Sequence, residues 1–315
     1  MTAVFWRCIA FAIAFIPALV HAQQQTVRVL TVVSNEAIQL LGASSGRNLA
    51  LGEINKTNQA LVGSSVNLRV ELAGVHTLSM PMPLTVYESL KFAQKDLEIL
   101  RSRDEANADV VIVIHRTVAN EGVALFRPTR AEDAFAAVHA YQTQGTVYGY
   151  PHELGHLFCA THQDTGGAYT PVGSGDMAGG QGYYFRHNLV SLSLALPTNT
   201  TNPLGGYCKH TVMAYPPQNL LKGVNCTNAP SEHILRFSNP NVCETWYTVT
   251  TPSTPKSLCY GDGSHNNAYI IGQHGPTITS FRNTKLRPRS VMERVIAVIT
   301  SIGLMNPAPS CAPGC

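Results

Sequence analysis

The stretch YPHELGHLFCATHQD, residues 150–164, holds three histidines and two acidic residues. Residues four apart lie on the same face of a helix, so His152 and His156 can bind one ion. His162 follows further along, and it can reach that ion only if the helix ends and the chain turns back. Imidazole nitrogens are favoured zinc ligands, and a neighbouring carboxylate can act as general base. The spacing therefore predicts a zinc site made by His152, His156 and His162, with Glu153 as the base.

The pattern His-Glu-x-x-His is typical of zinc metalloproteases, but an amphipathic helix with surface histidines is the alternative. A second segment, HTVMAYP at residues 210–216, argues against that alternative because Met213 is followed two positions later by Tyr215. With both segments present, the chain resembles the metzincins, whose motif H-E-x-x-H-x-x-G-x-x-H is followed by a Met-turn. The resemblance implies that Met213 lies beneath the zinc ion. It also implies that Tyr215 acts as an extra ligand or as an oxyanion donor.

The likeness extends beyond the zinc motif to exported bacterial metallopeptidases of the reprolysin-like and peptidyl-Asp type. The stretches that carry it are TNQALVGSSVNLRVELAGV, ADVVIVI, TVMAYP, ILRFSNPNV and NNAYIIGQHGPTITSFR. It implies an α/β (α+β) catalytic domain. A twisted mixed sheet with helices would form the N-terminal lobe, an irregular disulfide-containing lobe would follow, and the active-site cleft would lie between them. Protein or peptide substrates would add as an antiparallel strand to an edge strand made of Gly122, Val123, Ala124 and Leu125.

Two residues of the motif depart from the family pattern or qualify it. Cys159 stands where the metzincin motif has a glycine, at a turn that favours left-handed backbone; a non-glycine residue there costs roughly 1–2 kcal/mol. A disulfide to Cys208 or Cys243 would hold this turn, and the alternative is that Cys159 is a zinc ligand or a redox switch. Pro151 suits the first turn of a helix, which predicts a helix of about two turns beginning near Gly149 to Pro151.

Hydrophobic patterning before residue 150 predicts strands that alternate with helices, which is typical of an α/β sheet. The predicted strands are TVRVLTVVS (26–34), VNLRVELAGV (66–75), a central ADVVIVIH (108–115) and an edge strand GVALFRP (122–128) ended by its proline. The predicted helices are NLALGEINKTNQALVGS (48–64) and TVYESLKFAQKDLEILRSR (85–103), the second capped by Thr85. Beyond residue 163 the chain is rich in glycine, turns and cysteines, so the zinc motif lies where two lobes meet.

The first residues, MTAVFWRCIAFAIAFIPALVHA, predict a secretory signal peptide, 1–22, cleaved after Ala22. The alternative of an uncleaved anchor is disfavoured because the apolar run is shorter than the roughly 20 residues that span a membrane. The metzincin-like domain is then 23–285, with an upper lobe 23–163 and a lower lobe 164–285. A tail, 286–315, contains a short apolar helix and a cysteine-containing end. We expect a secreted or periplasmic protein with disulfides and without a stable membrane anchor.

The charge pattern gives no sign of nucleic-acid binding. The chain has 22 basic and 19 acidic residues, and charged residues make up only 13% of it. The basic residues are scattered apart from RNTKLRPR (282–289), which favours a solvated segment. A turn at GDGSHNN (261–267) is a candidate for Ca²⁺, although it lacks the regular acid spacing of an EF-hand.

These patterns predict a secreted zinc-dependent endopeptidase. Zinc would polarise the scissile carbonyl and activate water, and Glu153 would pass the proton of that water to the leaving amine. One alternative is a catalytically silent zincin that acts as a secreted binding or toxin module, which a protease assay separates. Another is a non-metzincin zinc hydrolase with a downstream glutamate as third ligand, for which His162→Ala would retain zinc.

Overall fold

The computed structural model describes residues 24–119, 121–162, 184–188, 206–214, 231–248 and 251–282. The expected signal peptide, the 286–315 tail and Tyr215 lie outside these residues. The strands are β1 (Gln25–Ser34), β2 (Leu68–Leu78), β3 (Val110–His115), β4 (Gly122–Ala124), β5 (Phe135–His139), β6 (Tyr184–Asn188), β7 (Gly206–His210), β8 (Ser231–His233), β9 (Asn239–Thr248) and β10 (Thr251–Tyr260). The α-helices are α1 (Asn35–Leu41), α2 (Gly46–Gly63), α3 (Val86–Ala93), α4 (Leu97–Glu105), α5 (Gly149–Leu157) and α6 (Asn267–Thr279).

A five-stranded mixed sheet in the order β2-β1-β3-β5-β4 forms the centre of the fold. The first four strands run parallel, and β4 pairs antiparallel with β5 at the edge. Every residue of β3 is buried, as expected for a continuous apolar run covered on both faces of a sheet. The prediction that this strand is central is confirmed.

Helices cover both faces of the sheet. Successive strand residues point to opposite sides, and in β3 the residues on both sides are apolar, so each face needs a cover. On one face Ile112 and Ile114 join a core cluster to which α1, α2, α5 and α6 contribute. On the other face Val111 and Val113 pack with residues of α3 and α4. The predicted α/β fold class is confirmed, and α5 lies on the first face.

The structure corrects three details of the sequence prediction. The helix predicted over 85–103 is two helices, because Asp96 caps α4 by accepting hydrogen bonds from the N–H groups of Glu98 and Ile99 at 3.0 and 2.9 Å. Thr85 caps α3 as predicted. The strand predicted over 122–128 ends at Ala124, although it does form the edge. Strand β5 was not predicted, because its FAAVH sequence shows no alternation and is wholly buried.

The later part of the chain contributes a three-stranded sheet, β6-β7-β8, and a hairpin of β9 and β10. A disulfide joins Cys243 to Cys259 across the hairpin, which confirms a disulfide in the C-terminal region. Cys159 is a buried free thiol, so the expected disulfide from it to Cys208 or Cys243 is wrong. Helix α6 packs back on the central sheet. None of the helices within the described ranges is long and apolar enough to cross a bilayer.

Candidate metal centre

Helix α5 carries the first half of the zinc motif and is short, as its sequence predicts. It begins at Gly149, with Pro151 in the first turn, and its last residue is Leu157. Beyond it, the Cys159 N–H donates to the His156 carbonyl at 3.0 Å, and the Ala160 N–H donates to the Gly155 carbonyl at 2.9 Å. This pair of bonds is a Schellman ending, which places a left-handed residue just past the helix.

Cys159 is that left-handed residue, with a φ of 72°. The prediction that a cysteine occupies the turn usually made by glycine is confirmed, and the turn sends the chain back toward α5. The Cys159 side chain is buried against Ile270 and Phe126. Burial raises the pKa of its thiol to about 11, so the sulfur is protonated at neutral pH. A protonated thiol is a poor zinc ligand and a poor nucleophile.

The turn brings His162 against the two histidines of α5. Its Nε2 lies 2.9 Å from Nε2 of His152 and 2.9 Å from Nε2 of His156. Among the described residues this is the one cluster of three or more His, Cys, Asp or Glu side chains with ligand atoms close together, all within 4.8 Å. The three histidines that the motif predicts as ligands therefore do converge on one point.

Backbone carbonyls fix the protonation of two of these rings. Nδ1 of His152 lies 2.7 Å from the carbonyl oxygen of Val212, and Nδ1 of His156 lies 3.0 Å from that of Ala160. A carbonyl only accepts, so each Nδ1 must carry the proton and each Nε2 must carry a lone pair.

Such an arrangement suits a cation. The Nε2 atom of His162 has at most one proton to offer to two lone pairs, so protons alone cannot satisfy all three nitrogens. Zinc takes imidazole nitrogens at about 2.0–2.1 Å, and its histidine ligands usually donate their other N–H to a carbonyl or carboxylate. The three residues therefore fit a zinc site.

Burial keeps these three histidines in the neutral form that binds a metal ion. It lowers the pKa of His152 to about 4 and of His156 to about 3, because a low-dielectric environment disfavours the charged imidazolium. The pKa of His162 is lowered as well, first by burial and then by repulsion from His152 and His156. All three rings are consequently neutral at pH 7, and a metal ion does not have to displace protons from them.

Glu153 stands next to His152 in α5, and its side chain faces the edge strand. Burial raises the pKa of its carboxyl to about 8. Its Oε2 atom is buried and has no hydrogen-bond partner among the described residues. A cation close by would favour the ionised form of such a carboxyl, which is the form that a general base requires.

Met213 supports α5 from below, on the side away from the edge strand. It is fully buried, and a Cβ at Gly155 would overlap its Sδ and lie 3.1 Å from Cε1 of Phe237. Only a glycine at position 155 lets the helix approach Met213 this closely. Met213 thus lies against the helix that carries His152 and His156; its role beneath a zinc ion stays a prediction, and Tyr215 lies outside the described residues.

Asn267, the first residue of α6, was missed by sequence reasoning. Its side chain is fully buried, and its Oδ1 accepts a hydrogen bond from the N–H of Thr161 at 3.3 Å. Thr161 immediately precedes His162, so α6 holds the returning turn. No local sequence pattern marks this asparagine. The carbonyls of Val212 and Ala160 cannot be predicted from residue type either, because every residue has a backbone carbonyl.

Comparison with known proteins agrees with this geometry. Residues 52–163 match the family described as metallo-peptidase family M12B, reprolysin-like. The chain is 28% identical over 263 residues to a peptidyl-Asp metalloendopeptidase of Stenotrophomonas maltophilia (strain K279a), covering 82% of this chain and 53% of that protein. It is 26% identical over 230 residues to one of Xanthomonas campestris pv. campestris, covering 69% of this chain and 51% of that protein. The chain thus spans about half the length of these curated relatives.

A solved structure titled "Structure of a chaperone-substrate complex" shares the fold, with a TM-score of 0.52 and 19% identity. The match covers 82% of this chain and 35% of that one. The sequence matches and the cluster of His152, His156 and His162 together support a reprolysin-like zinc metallopeptidase, which is the family that the zinc motif and the Met-turn segment predict.

Proposed function

We propose that this protein is a secreted zinc endopeptidase whose zinc is held by His152, His156 and His162. The observation that carries the proposal is the convergence of the Nε2 atoms of three neutral imidazoles next to Glu153, whose buried Oε2 has no hydrogen-bond partner among the described residues. The convergence of His162 supports this ligand set over one with a downstream glutamate. The disulfide between Cys243 and Cys259 supports export to an oxidising compartment.

The edge strand supports binding of an extended peptide. The His139 N–H donates to the Glu121 carbonyl at 2.9 Å, and the Leu125 N–H donates to the Phe135 carbonyl at 3.0 Å. Because backbone direction alternates along an antiparallel strand, the N–H and C=O groups of Gly122 and Ala124 point away from β5. We propose that the segment Gly122 to Leu125 binds substrate as an added strand.

In the proposed mechanism, one residue of α5 transfers the proton and one residue after Met213 stabilises the oxyanion. When bound, zinc would polarise the scissile carbonyl and lower the pKa of a water molecule. Glu153 takes a proton from the attacking water and delivers it to the leaving amine. Tyr215 donates a hydrogen bond to the oxyanion, so Tyr215→Phe lowers the rate roughly 10²- to 10³-fold with zinc retained.

The test is proteolysis by purified wild type and Glu153→Ala on casein and on a peptide library, with zinc measured in each sample. We expect the wild type to cleave these substrates. Glu153→Ala should bind zinc and lose nearly all hydrolysis, because alanine cannot accept the proton of the attacking water. Wild-type turnover by Glu153→Ala would exclude this mechanism. A wild type that binds zinc and cleaves nothing would instead be a silent zincin.

The curated relatives are named peptidyl-Asp metalloendopeptidases. We propose that this protein also prefers peptide substrates that contain aspartate. Matched peptides that differ by one Asp→Asn change test it. The aspartate peptide should show the higher kcat/KM, and equal values would exclude the preference.

A further inference from the structure

The edge strand and the active-site helix meet at a point where one of the two backbones has no room for a side chain. A Cβ at Gly122 would overlap Oε1 of Glu153 and lie 2.8 Å from its Cδ and 2.9 Å from its Cγ. Three atoms of the same carboxyl-bearing side chain are therefore involved, and Glu153 itself is 4% exposed. Any side chain at position 122 must displace Glu153.

The strand pattern shows that this closeness belongs to one face of the edge strand. Alternation along β4 puts residues 122 and 124 on one side and residue 123 on the other. Ala124 packs with the core cluster that contains residues of α5, whereas Val123 and Leu125 pack with the opposite cluster. The ring of Phe126 stands edge-on to His156, with centroids 6.5 Å apart.

Side-chain size therefore increases along the face that meets α5. There is none at Gly122 opposite Glu153, a methyl group at Ala124, and an aromatic ring at Phe126 opposite His156. At the same time, the N–H and C=O groups of Gly122 point to the side of β4 that pairs with no other described strand. One residue thus touches the proposed base through its Cα and faces the proposed substrate strand through its backbone.

We propose that Gly122 is a positioning residue for Glu153: the missing Cβ sets the distance between the carboxylate and a peptide bound along β4. This inference rests on the proposed function, since it assigns Glu153 as the base. A glycine is required here by the approach of the glutamate and not by its backbone conformation, because Gly122 does not have a positive φ. An alanine is therefore compatible with the strand and tests the contact alone.

The experiment compares Gly122→Ala with wild type in kcat, KM and zinc content. Because a misplacement of about 1 Å can cost roughly 10²-fold in rate, we expect kcat to fall roughly 10- to 100-fold. KM should stay within about threefold, because the backbone groups that pair with substrate are unchanged. Zinc content should equal that of wild type, since the atoms nearest to the new methyl group belong to Glu153 and not to a histidine.

A thermodynamic cycle separates the contact from a general effect on folding. Gly122→Ala should lower Tm by about 2–4 °C or more in the wild-type background. In the Glu153→Ala background it should leave Tm unchanged, because the new methyl group fills space that the glutamate has vacated. Gly272→Ala in α6 is the matched control, since its added Cβ meets no atom within 4 Å; its kcat should equal that of wild type.

Three results would overturn the proposal: a kcat of Gly122→Ala within about twofold of wild type, a loss confined to KM, or an equal fall in Tm in both backgrounds. A wild type without peptidase activity would refute the proposed function instead. The Tm cycle would still decide whether Gly122 makes room for Glu153, so the two failures can be told apart.

Discussion

Two of the contacts of helix α5 that leave no room for a Cβ lie on opposite sides of the helix and differ in kind. Toward the edge strand, the glycine belongs to the strand, at Gly122, and the helix contributes Glu153. Toward the interior, the glycine belongs to the helix, at Gly155, and the partner is Met213. The first contact borders the open edge of β4, whereas the second is sealed by fully buried Met213 and Phe237.

One short helix can therefore serve two purposes. The sealed contact sets the height of α5, and therefore of His152 and His156, above the turn that carries Met213. The open contact sets the position of the proposed base against the substrate strand. A disturbance of the sealed side should therefore reduce stability and zinc binding, while a disturbance of the open side should mainly reduce the rate.

Gly155→Ala changes the sealed contact, and we expect it to have the largest effect on stability and zinc binding. The new methyl group meets buried atoms of Met213 and Phe237 that cannot move into solvent, so we expect a loss of about 1–3 kcal/mol in the free energy of unfolding. Zinc affinity should fall too, because His156 is the next residue along the helix. Denaturant unfolding and competition with a zinc chelator measure both quantities.

The control for Gly155→Ala is Gly52→Ala in α2, where the added Cβ meets no atom within 4 Å. Alanine there should leave stability equal or slightly raised, since glycine costs about 0.5–1 kcal/mol inside a helix. Equal behaviour of the two variants would contradict the account of a sealed contact under the zinc site.

Cys159→Gly is expected to have the smallest effect. Glycine relieves the cost of a left-handed residue, roughly 1–2 kcal/mol, but it also removes a buried side chain that packs against Ile270 and Phe126. These contributions oppose each other, so stability should change by about 1 kcal/mol or less. Zinc content and kcat should match wild type, and loss of zinc would instead make Cys159 a ligand.

The sequence was most informative where a signal is local. Strand β3 is recognisable because every residue is apolar until its terminal histidine, and α5 because proline opens it and histidines mark its face. Strand β5 was missed because burial on both faces removes alternation. The break between α3 and α4 was missed because the apolar positions continue with helical spacing across the cap at Asp96.

The site divides in the same way between local and distant information. The identities of His152, Glu153, His156 and His162 follow from spacing, and so does the need for a turn after α5. The contact between Gly122 and Glu153 cannot be read from spacing, because it depends on how closely the edge strand lies against the helix. The hydrogen bond between Asn267 and Thr161 cannot be read from spacing either, because it joins parts of the chain that are far apart in sequence.

The zinc content of dialysed wild type and of His162→Ala, measured by mass spectrometry of the native protein, tests whether three histidines hold one zinc ion. We predict one zinc ion per chain in the wild type. We predict its loss from His162→Ala, because two imidazoles on α5 without the third cannot complete the site. Tightly bound zinc in His162→Ala, or none in the wild type, would contradict the account.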